Sequence, residues 1–251
     1  MAGGSVLRKF SVSLAALAAA WCAEPAARIP PVSATVNIEG QPVQLSVSGS
    51  VFTAAADEGR EIVRVELNAD LADFQRNLTA ILGAQLNQSN RCGERLTVLN
   101  AKLVPAAPAA ALTLAAHVEK WACAKAFGKE IVKRLVGGDS TIGVRLTPQV
   151  EEGAVKLAAE VTSIEADGSL GELLRSDAIR EKIRASVVSA VQKSTDFKTA
   201  LPPAVQEIVS LERAQFAGAG DGRLALAVSS EVRLPAGQAR ELIERLKQST
   251  R

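Results

Sequence analysis

The stretch RCGERLTVLNAKLVPAAPAAALTLAAHVEKWAC, residues 91–123, alternates apolar and polar residues on both sides of a Pro-Ala turn and has a cysteine near each end. Reflection about a turn at residues 105–110 predicts an antiparallel hairpin with an apolar face. The predicted pairs on that face are Leu103 with Leu112, Ala101 with Leu114, Leu99 with Ala116, and Thr97 with Val118. The register continues to Cys92 opposite Cys123, and opposed residues lie about 4.5 to 5.5 Å apart. A disulfide fits that separation, so the stretch predicts one between Cys92 and Cys123.

Three further stretches reflect about a turn in the same way, which predicts hairpins that cover a core on one side. In residues 34–47, with a turn at 39–42, the predicted pairs are Ile38 with Val43, Val36 with Leu45, and Ala34 with Val47. In residues 142–161, with a turn at 151–154, they are Val150 with Val155, Leu146 with Ala159, and Val144 with Val161, while Arg145 opposes Glu160. In residues 211–234 the turn is Asp221-Gly222, and one face has Leu224, Leu226, Val228 and Val232.

Two stretches have the apolar period of a helix. The first, residues 69–88, has an apolar stripe of Leu71, Phe74, Leu78, Ile81, Leu82 and Leu86. The second, residues 170–193, has Leu173, Ile179, Ile183, Val187 and Val191, with Ser176 or Asp177 as an N-cap. A shorter helix is predicted around Leu242, Ile243 and Leu246, and residues 127–136 fit either a strand or a helix.

The two halves of the chain, about 32–124 and 140–248, have matching patterns. Ile38, Val43, Gln44 and Leu45 match Val150, Val155, Lys156 and Leu157 at an offset of 112. Each half then runs hairpin, long helix, hairpin. We therefore predict an α+β fold over residues 32–251, with a curved antiparallel sheet wrapped on two long amphipathic helices and a pseudo-twofold internal repeat. Chance similarity between amphipathic hairpins is the alternative explanation of the repeat.

The N-terminus has the order of a secretory signal peptide. Arg8 and Lys9 precede an apolar run, and small residues stand at Ala18 and Ala20. The sequence predicts a signal peptide at residues 1–20, a flexible linker at 21–31 and a periplasmic location. Residues 19–22 resemble a degenerate lipobox, so a lipoprotein anchor at Cys22 and cleavage without lipidation both remain open.

The composition argues against several function classes. Aromatic residues make up 3% of the chain and Tyr is absent, which is unusual for sites that stack sugars or single-stranded nucleic acid. A formal charge of +2 with interspersed signs gives no nucleic-acid footprint. The lone histidine, His117, falls on the outer face of its strand opposite Val98, and no metal-binding or nucleophile motif occurs. We expect no enzymatic activity, no cofactor, no metal and no nucleic acid.

The apolar faces predict either a ligand-lined space or a filled core. Aliphatic sheet faces meet helix stripes of the same kind, which suits an acyl chain if a cavity separates them and a packed interior if none does. The candidate lining residues are Phe74, Leu78, Leu82, Leu99, Leu112, Leu114, Val144, Leu146, Leu157, Val161, Ile179, Ile183, Val187 and Phe216.

The second half also resembles bacterial members of the tubular lipid-binding (TULIP-like) superfamily. The similar features, within about residues 144–234, are the predicted helix from Leu170, the Leu201-Pro202 step after it, and the hairpin AQF…DGRLALAV. The resemblance implies a curved sheet around long helices, with lipid held in the apolar tunnel between them. We therefore expect a periplasmic carrier of lipid or another hydrophobic ligand, with a membrane surface as a further partner. The alternative is an envelope structural or protein-interaction domain with a filled core.

Overall fold

The computed structural model describes residues 24–56, 59–87, 92–126, 129–166, 168–195 and 211–249. Its strands are β1 (Ala27–Ile38), β2 (Gln41–Ala55), β3 (Arg60–Asp70), β4 (Gly93–Ala106), β5 (Ala109–Ala126), β6 (Lys129–Glu151), β7 (Ala154–Glu165), β8 (Arg213–Gly218) and β9 (Leu224–Pro235). Its helices are α1 (Ala72–Leu86), α2 (Gly168–Leu174), α3 (Asp177–Thr195) and α4 (Ala236–Ser249). The predicted signal peptide, Cys22 and the Leu201-Pro202 step lie outside the described residues. Strand β1 begins within the segment predicted as a linker.

Two antiparallel sheets make up most of the fold. Sheet A has five strands in the order β1-β2-β3-β9-β8, and sheet B has four in the order β4-β5-β6-β7. The prediction of one curved sheet wrapped on two long helices, with a pseudo-twofold repeat, is therefore wrong. The helices are short: α1 has 15 residues, and the second predicted helix is broken at residues 175–176 into α2, with 7 residues, and α3, with 19.

The unpredicted strand β3 explains why the repeat fails. It alternates buried Val63, Val65, Leu67 and Ala69 with more exposed residues, and it lies between β2 and β9 at the centre of sheet A. Equivalent strands also take different places in the two sheets. β1 lies at an edge of sheet A, whereas β6, its counterpart at the offset of 112, is internal to sheet B. The matching residue patterns of the two halves therefore reflect similar hairpins and not a repeated topology.

The predicted β6–β7 register agrees with the structure, and the predicted β4–β5 register agrees only on the turn side of Leu99. β6 and β7 pair Val150 with Val155 and Leu146 with Ala159, as predicted. β4 and β5 pair Leu103 with Leu112 and Ala101 with Leu114 as predicted, but the register shifts between Val98 and Asn100. The predicted β1–β2 register is wrong by two residues. Its turn is the two-residue Glu39-Gly40, where both φ angles are positive, at 50° and 78°, as in a type I′ hairpin.

The helices close both edges of sheet B. On α1, Gln75 Nε2 donates to the Leu103 carbonyl of β4 (2.8 Å), Thr79 Oγ1 accepts from Ala101 N (2.9 Å), and the flanking Asn87 Oδ1 accepts from Val98 N (2.7 Å). On α3, Gln192 accepts from Leu157 N (3.1 Å) and donates to the Val155 carbonyl of β7 (2.6 Å). An uncovered edge strand is a template for pairing with another chain. The polar side chains of α1 and α3 therefore protect sheet B from such pairing.

The core is one continuous apolar cluster that includes residues of both sheets and all four helices. Its largest fully buried side chains include Phe74 of α1, Phe216 of β8 and Leu114 of β5. Helix α4, predicted around Leu242, adds Ala239 and Leu246 to the same cluster. The apolar faces of the helices and of the two sheets thus share a single interior.

Candidate functional site

The predicted lining residues mostly lie in the packed core. Of the fourteen, twelve are buried, and eight of these have no exposed surface: Phe74, Leu78, Leu82, Leu114, Leu146, Ile183, Val187 and Phe216. Val161 is half-buried. Leu99 is 51% exposed, so its assignment to the inner face is wrong. The register shift beside it turns Val98 inward and Leu99 outward.

An apolar crevice reaches the surface where α1, α3 and the β4–β5 hairpin meet. Its aliphatic walls are Leu86 of α1, Leu96 of β4, Val118 of β5, and Ile179 and Ile183 of α3. Glu94, Arg95 and Lys182 complete the lining with charged groups. The cavity itself is small, about 20 Å³, which is close to the room that one water molecule needs.

Local sequence accounts for both walls of the crevice. Ile179 and Ile183 are four residues apart, so they lie on the same face of α3. Leu96 and Val118 are directly paired across β4 and β5, so they share a face of sheet B. The sequence stripe identified Ile179 and Ile183 as lining residues. It missed Leu96, because the predicted register paired Val118 with Thr97.

Side-chain hydrogen bonds hold the C-terminal half of α3, whereas the crevice borders its N-terminal half. Gln192 bridges α3 to β7 as described above, and Gln85 Nε2 of α1 donates to Ser189 Oγ (3.3 Å) and to Glu39 Oε1 (3.1 Å). Near the other end, α3 is separated from α2 by residues 175–176. The wall formed by Ile179 and Ile183 therefore lies between a break in the helix and a hydrogen-bonded anchor.

Glu119 accepts hydrogen bonds from two neighbouring side chains in the strand region next to the crevice. Its Oε2 accepts from Trp121 Nε1 (2.9 Å) and its Oε1 accepts from Arg134 Nη1 (3.1 Å). Both hydrogen bonds lower the pKa of Glu119 below its ordinary value, and the one from Trp121 has the larger effect. The guanidinium of Arg95 lies 4.4 Å from the centroid of the Trp121 ring, a cation–π contact.

The predicted disulfide is present at the same end of sheet B. Cys92 and Cys123 are bonded, with their Cα atoms 5.7 Å apart. Glu130 lies close to both sulfurs, but a cysteine binds metal as a thiolate, and a disulfide offers none. The bond thus acts as a covalent tie between the start of β4 and the far part of β5. It is consistent with an oxidising compartment.

His117 has partners that the sequence did not reveal. Its Nδ1 lies 2.6 Å from Asp139 Oδ1 and its Nε2 lies 3.7 Å from Glu119 Oε1. The residue faces Thr97 on β4, not Val98 as predicted, and Asp139 on β6. Asp139 was missed because the pairing of β5 with β6 was not predicted. The two carboxylates orient the imidazole ring on the outer face of the sheet.

No family model matches the chain, and neither the curated proteins nor the solved structures contain a significant match. In the part of the chain that the structure describes, no helix is both long enough and apolar enough to cross a bilayer.

Proposed function

We propose that the protein binds an apolar ligand, such as the acyl chain of a lipid, at the crevice and carries it in the periplasm without catalysis. The observation that carries this proposal is the crevice itself. There the apolar stripes of α1 and α3 and the inner face of β4–β5 reach the surface together. The residues that resemble the tubular lipid-binding superfamily favour the same class of ligand.

Binding requires the crevice to open. Pockets for small molecules are typically about 300 to 1,000 Å³, whereas this cavity is about 20 Å³. In this proposal the wall that moves is the N-terminal half of α3, since the hydrogen bonds of Gln192 to β7 and of Ser189 to α1 belong to its C-terminal half. Ligand entry in this proposal displaces Ile179 and Ile183 from Leu96 and Val118.

The hydrophobic effect supplies the driving force. Each methylene group moved out of water contributes about 0.8 kcal/mol. Opening the crevice separates apolar side chains that now cover one another, so only the surplus of ligand burial over that cost appears as affinity. Long acyl chains should therefore bind much more tightly than short ones.

The charged residues of the crevice suit an anionic head group. Arg95 and Lys182 line the cavity beside a single carboxylate, Glu94. A phosphate or carboxylate head group at the mouth would lie near these two cations, with its tail between the aliphatic walls. Ligands with neutral head groups should bind less tightly.

Mass spectrometry of organic extracts, made from protein purified without detergent, tests the proposal directly. A co-purified lipid, together with uptake of a fluorescent acyl probe, is the expected result. Ile179→Trp should plug the crevice and reduce probe uptake. Ile62→Trp, on β3 of sheet A, is the matched control and should leave uptake unchanged.

A filled-core domain for protein interaction in the envelope is the second candidate. It is favoured by the eight predicted lining residues that have no exposed surface, since a tunnel would expose some of them. Extracts without lipid, together with a folded protein that takes up no acyl probe, would contradict the carrier proposal and favour the filled-core interaction domain.

A further inference from the structure

Strands β5 and β6 extend past the rest of sheet B as a two-stranded arm. They pair with each other as far as Ala126 with Lys129. The pairing of β4 with β5 ends at Gly93 with Trp121, and that of β7 with β6 ends at Thr141 with Glu165. We define the arm as residues 120–126 and 129–136. It includes residues 129–136 of the segment that the sequence left open between strand and helix, and these residues form part of β6.

The arm combines positive charge with exposed aliphatic side chains. Its cations are Lys120, Lys125, Lys129, Lys133 and Arg134, against one carboxylate, Glu130. Because the whole chain has a formal charge of +2, the arm contains more than the net positive charge of the protein. Ile131 and Leu135 are 54% and 58% exposed, and with Leu99 they are the large exposed hydrophobic residues of the described chain.

A disulfide and several side-chain contacts stabilise the base of the arm. The Cys92–Cys123 disulfide ties it to the start of β4. Glu119 binds both Trp121 and Arg134, which are directly paired across the two strands, and Arg95 stacks on Trp121. An isolated two-stranded hairpin is only marginally stable in water. These contacts supply the support that the two strands lack beyond the sheet.

We propose that the arm docks the protein on an anionic membrane surface. Lys129 and Lys133 alternate with Ile131 along β6, so they share its face and would meet the phosphate groups of the lipids. Ile131 and Leu135 would enter the boundary between head groups and acyl chains. A membrane surface offers negative charge and an apolar layer together, which matches both features of the arm. A soluble polyanion would satisfy the lysines alone and leave the two aliphatic side chains in water.

Docking would also orient the crevice. Arg95 belongs to both structures, since it lines the crevice and stacks on Trp121 at the base of the arm. The mouth of the crevice would then lie near the membrane. The docking proposal does not rest on ligand carriage, because a protein with a sealed crevice would dock equally well.

Co-sedimentation with vesicles tests the arm. The vesicles are phosphatidylcholine mixed with phosphatidylglycerol, and phosphatidylcholine alone as the neutral reference. The double variant K129Q/K133Q should bind the anionic vesicles about 25-fold more weakly, since each lysine near an anionic surface contributes about fivefold. The control K102Q/K156Q removes two exposed lysines outside the arm and should bind like the unaltered protein.

A second variant, I131S/L135S, tests the apolar contribution. It should reduce binding by about tenfold and make the remaining binding more sensitive to salt. All proteins are compared in the same processed form, because residues 1–20 contain their own apolar and basic run. Circular dichroism confirms that each variant is folded, and probe uptake is measured separately.

Equal weakening by the arm variant and its control would overturn the proposal, as would equal binding to neutral and anionic vesicles. Binding to heparin that requires the lysines but not Ile131 and Leu135, with no vesicle binding, would assign the arm to a soluble polyanion instead. Vesicle binding without lipid uptake would retain docking and reject carriage, so the two failures are distinguishable.

Discussion

Gly49 of β2 is a residue at which the backbones of two strands leave no room for a side chain. A Cβ atom there would lie 2.7 Å from Leu67 Cδ2 and would also collide with the Glu66 carbonyl of β3. Gly49→Ala must therefore push β2 and β3 apart in the middle of sheet A. We expect a loss of about 1 to 3 kcal/mol in the free energy of unfolding, as overpacking usually produces. Urea denaturation measures it.

Gly237→Ala is the matched control for this substitution. Gly237 lies in α4, and a Cβ atom there would meet nothing within 4 Å. Alanine is a better helix former than glycine, so the unfolding free energy should stay the same or rise by up to about 1 kcal/mol. Equal losses at both positions would show that Gly49 has no special steric role.

Glu119 makes the base of the arm sensitive to acid. Its pKa is lowered in the folded protein by hydrogen bonds from Trp121 and Arg134. A carboxylate with a depressed pKa contributes stability that is present above its unfolded pKa and is lost as the pH falls through its folded pKa. We expect Trp121 fluorescence to change only below the ordinary titration range of glutamate. A Trp21→Phe background isolates this signal.

Glu119→Gln tests the assignment. It keeps an acceptor for Trp121 but removes the titrating charge, so the acid transition of Trp121 fluorescence should disappear. A transition that persists unchanged in Glu119→Gln would contradict the role of Glu119. Glu94→Gln, beside Arg95 on β4, is the control substitution and should leave the transition in place.

At the scale of elements, the sequence predicted two hairpin registers correctly near their turns and placed the β1–β2 register two residues off. The Glu152-Gly153 turn and the Pro-Ala turn both gave correct pairs close to the turn. The β4–β5 prediction failed at Leu99 because Val98 and Leu99 are both aliphatic, so either could face inward. Asn87 and Thr79 bind the backbone of Val98 and Ala101, on the two sides of the register shift. Those contacts come from α1 and are invisible in the hairpin sequence.

Gln75 joins three elements and should matter more than an ordinary polar residue of a helix. Its Nε2 donates to the carbonyls of Leu103 (2.8 Å) and Gly222 (3.1 Å), and its Oε1 accepts from Leu224 N (2.8 Å). Gln75→Leu removes all three hydrogen bonds and leaves polar backbone groups in a partly buried place. We expect a loss of about 2 to 4 kcal/mol in the free energy of unfolding.

The comparison for Gln75→Leu is Gln149→Leu, at an exposed position of β6. Surface substitutions away from special features usually change stability by less than about 0.5 kcal/mol. Thermal and urea denaturation of both variants should therefore separate them clearly. Similar stabilities would mean that α1 is held to β4 and β9 by its apolar face alone.

At the scale of the whole molecule, the division into sheets could not be predicted from the sequence. The pairing that joins the N-terminal strands to the C-terminal hairpin is β3 with β9, for example Val65 with Ser230. No turn connects these strands, so no local pattern records their register. The candidate site and the arm were predicted only in part, because sequence shows local periods but not the pairing of distant strands. Ile179 and Ile183 follow a helical period, whereas the arm depends on the pairing of β5 with β6.

The single apolar cluster predicts that both sheets unfold together. It includes Val65 of sheet A, Leu114 of sheet B and Phe74 of α1 between them. The sheets are also joined at the backbone, since Phe216 N donates to the Pro108 carbonyl (2.9 Å). Neither sheet can expose its inner face without exposing that of the other, so we expect one cooperative transition.

Two tryptophan reporters can test this cooperativity. In a Trp21→Phe background, Trp121 reports on sheet B. A second protein, with Trp21→Phe, Trp121→Phe and Phe52→Trp, reports on β2 of sheet A. Because a shared core couples the sheets, fluorescence and circular dichroism should give the same urea midpoint within each protein. Two midpoints, or a calorimetric enthalpy above the van't Hoff enthalpy, would mean that the sheets are separate folding units joined only at their surfaces.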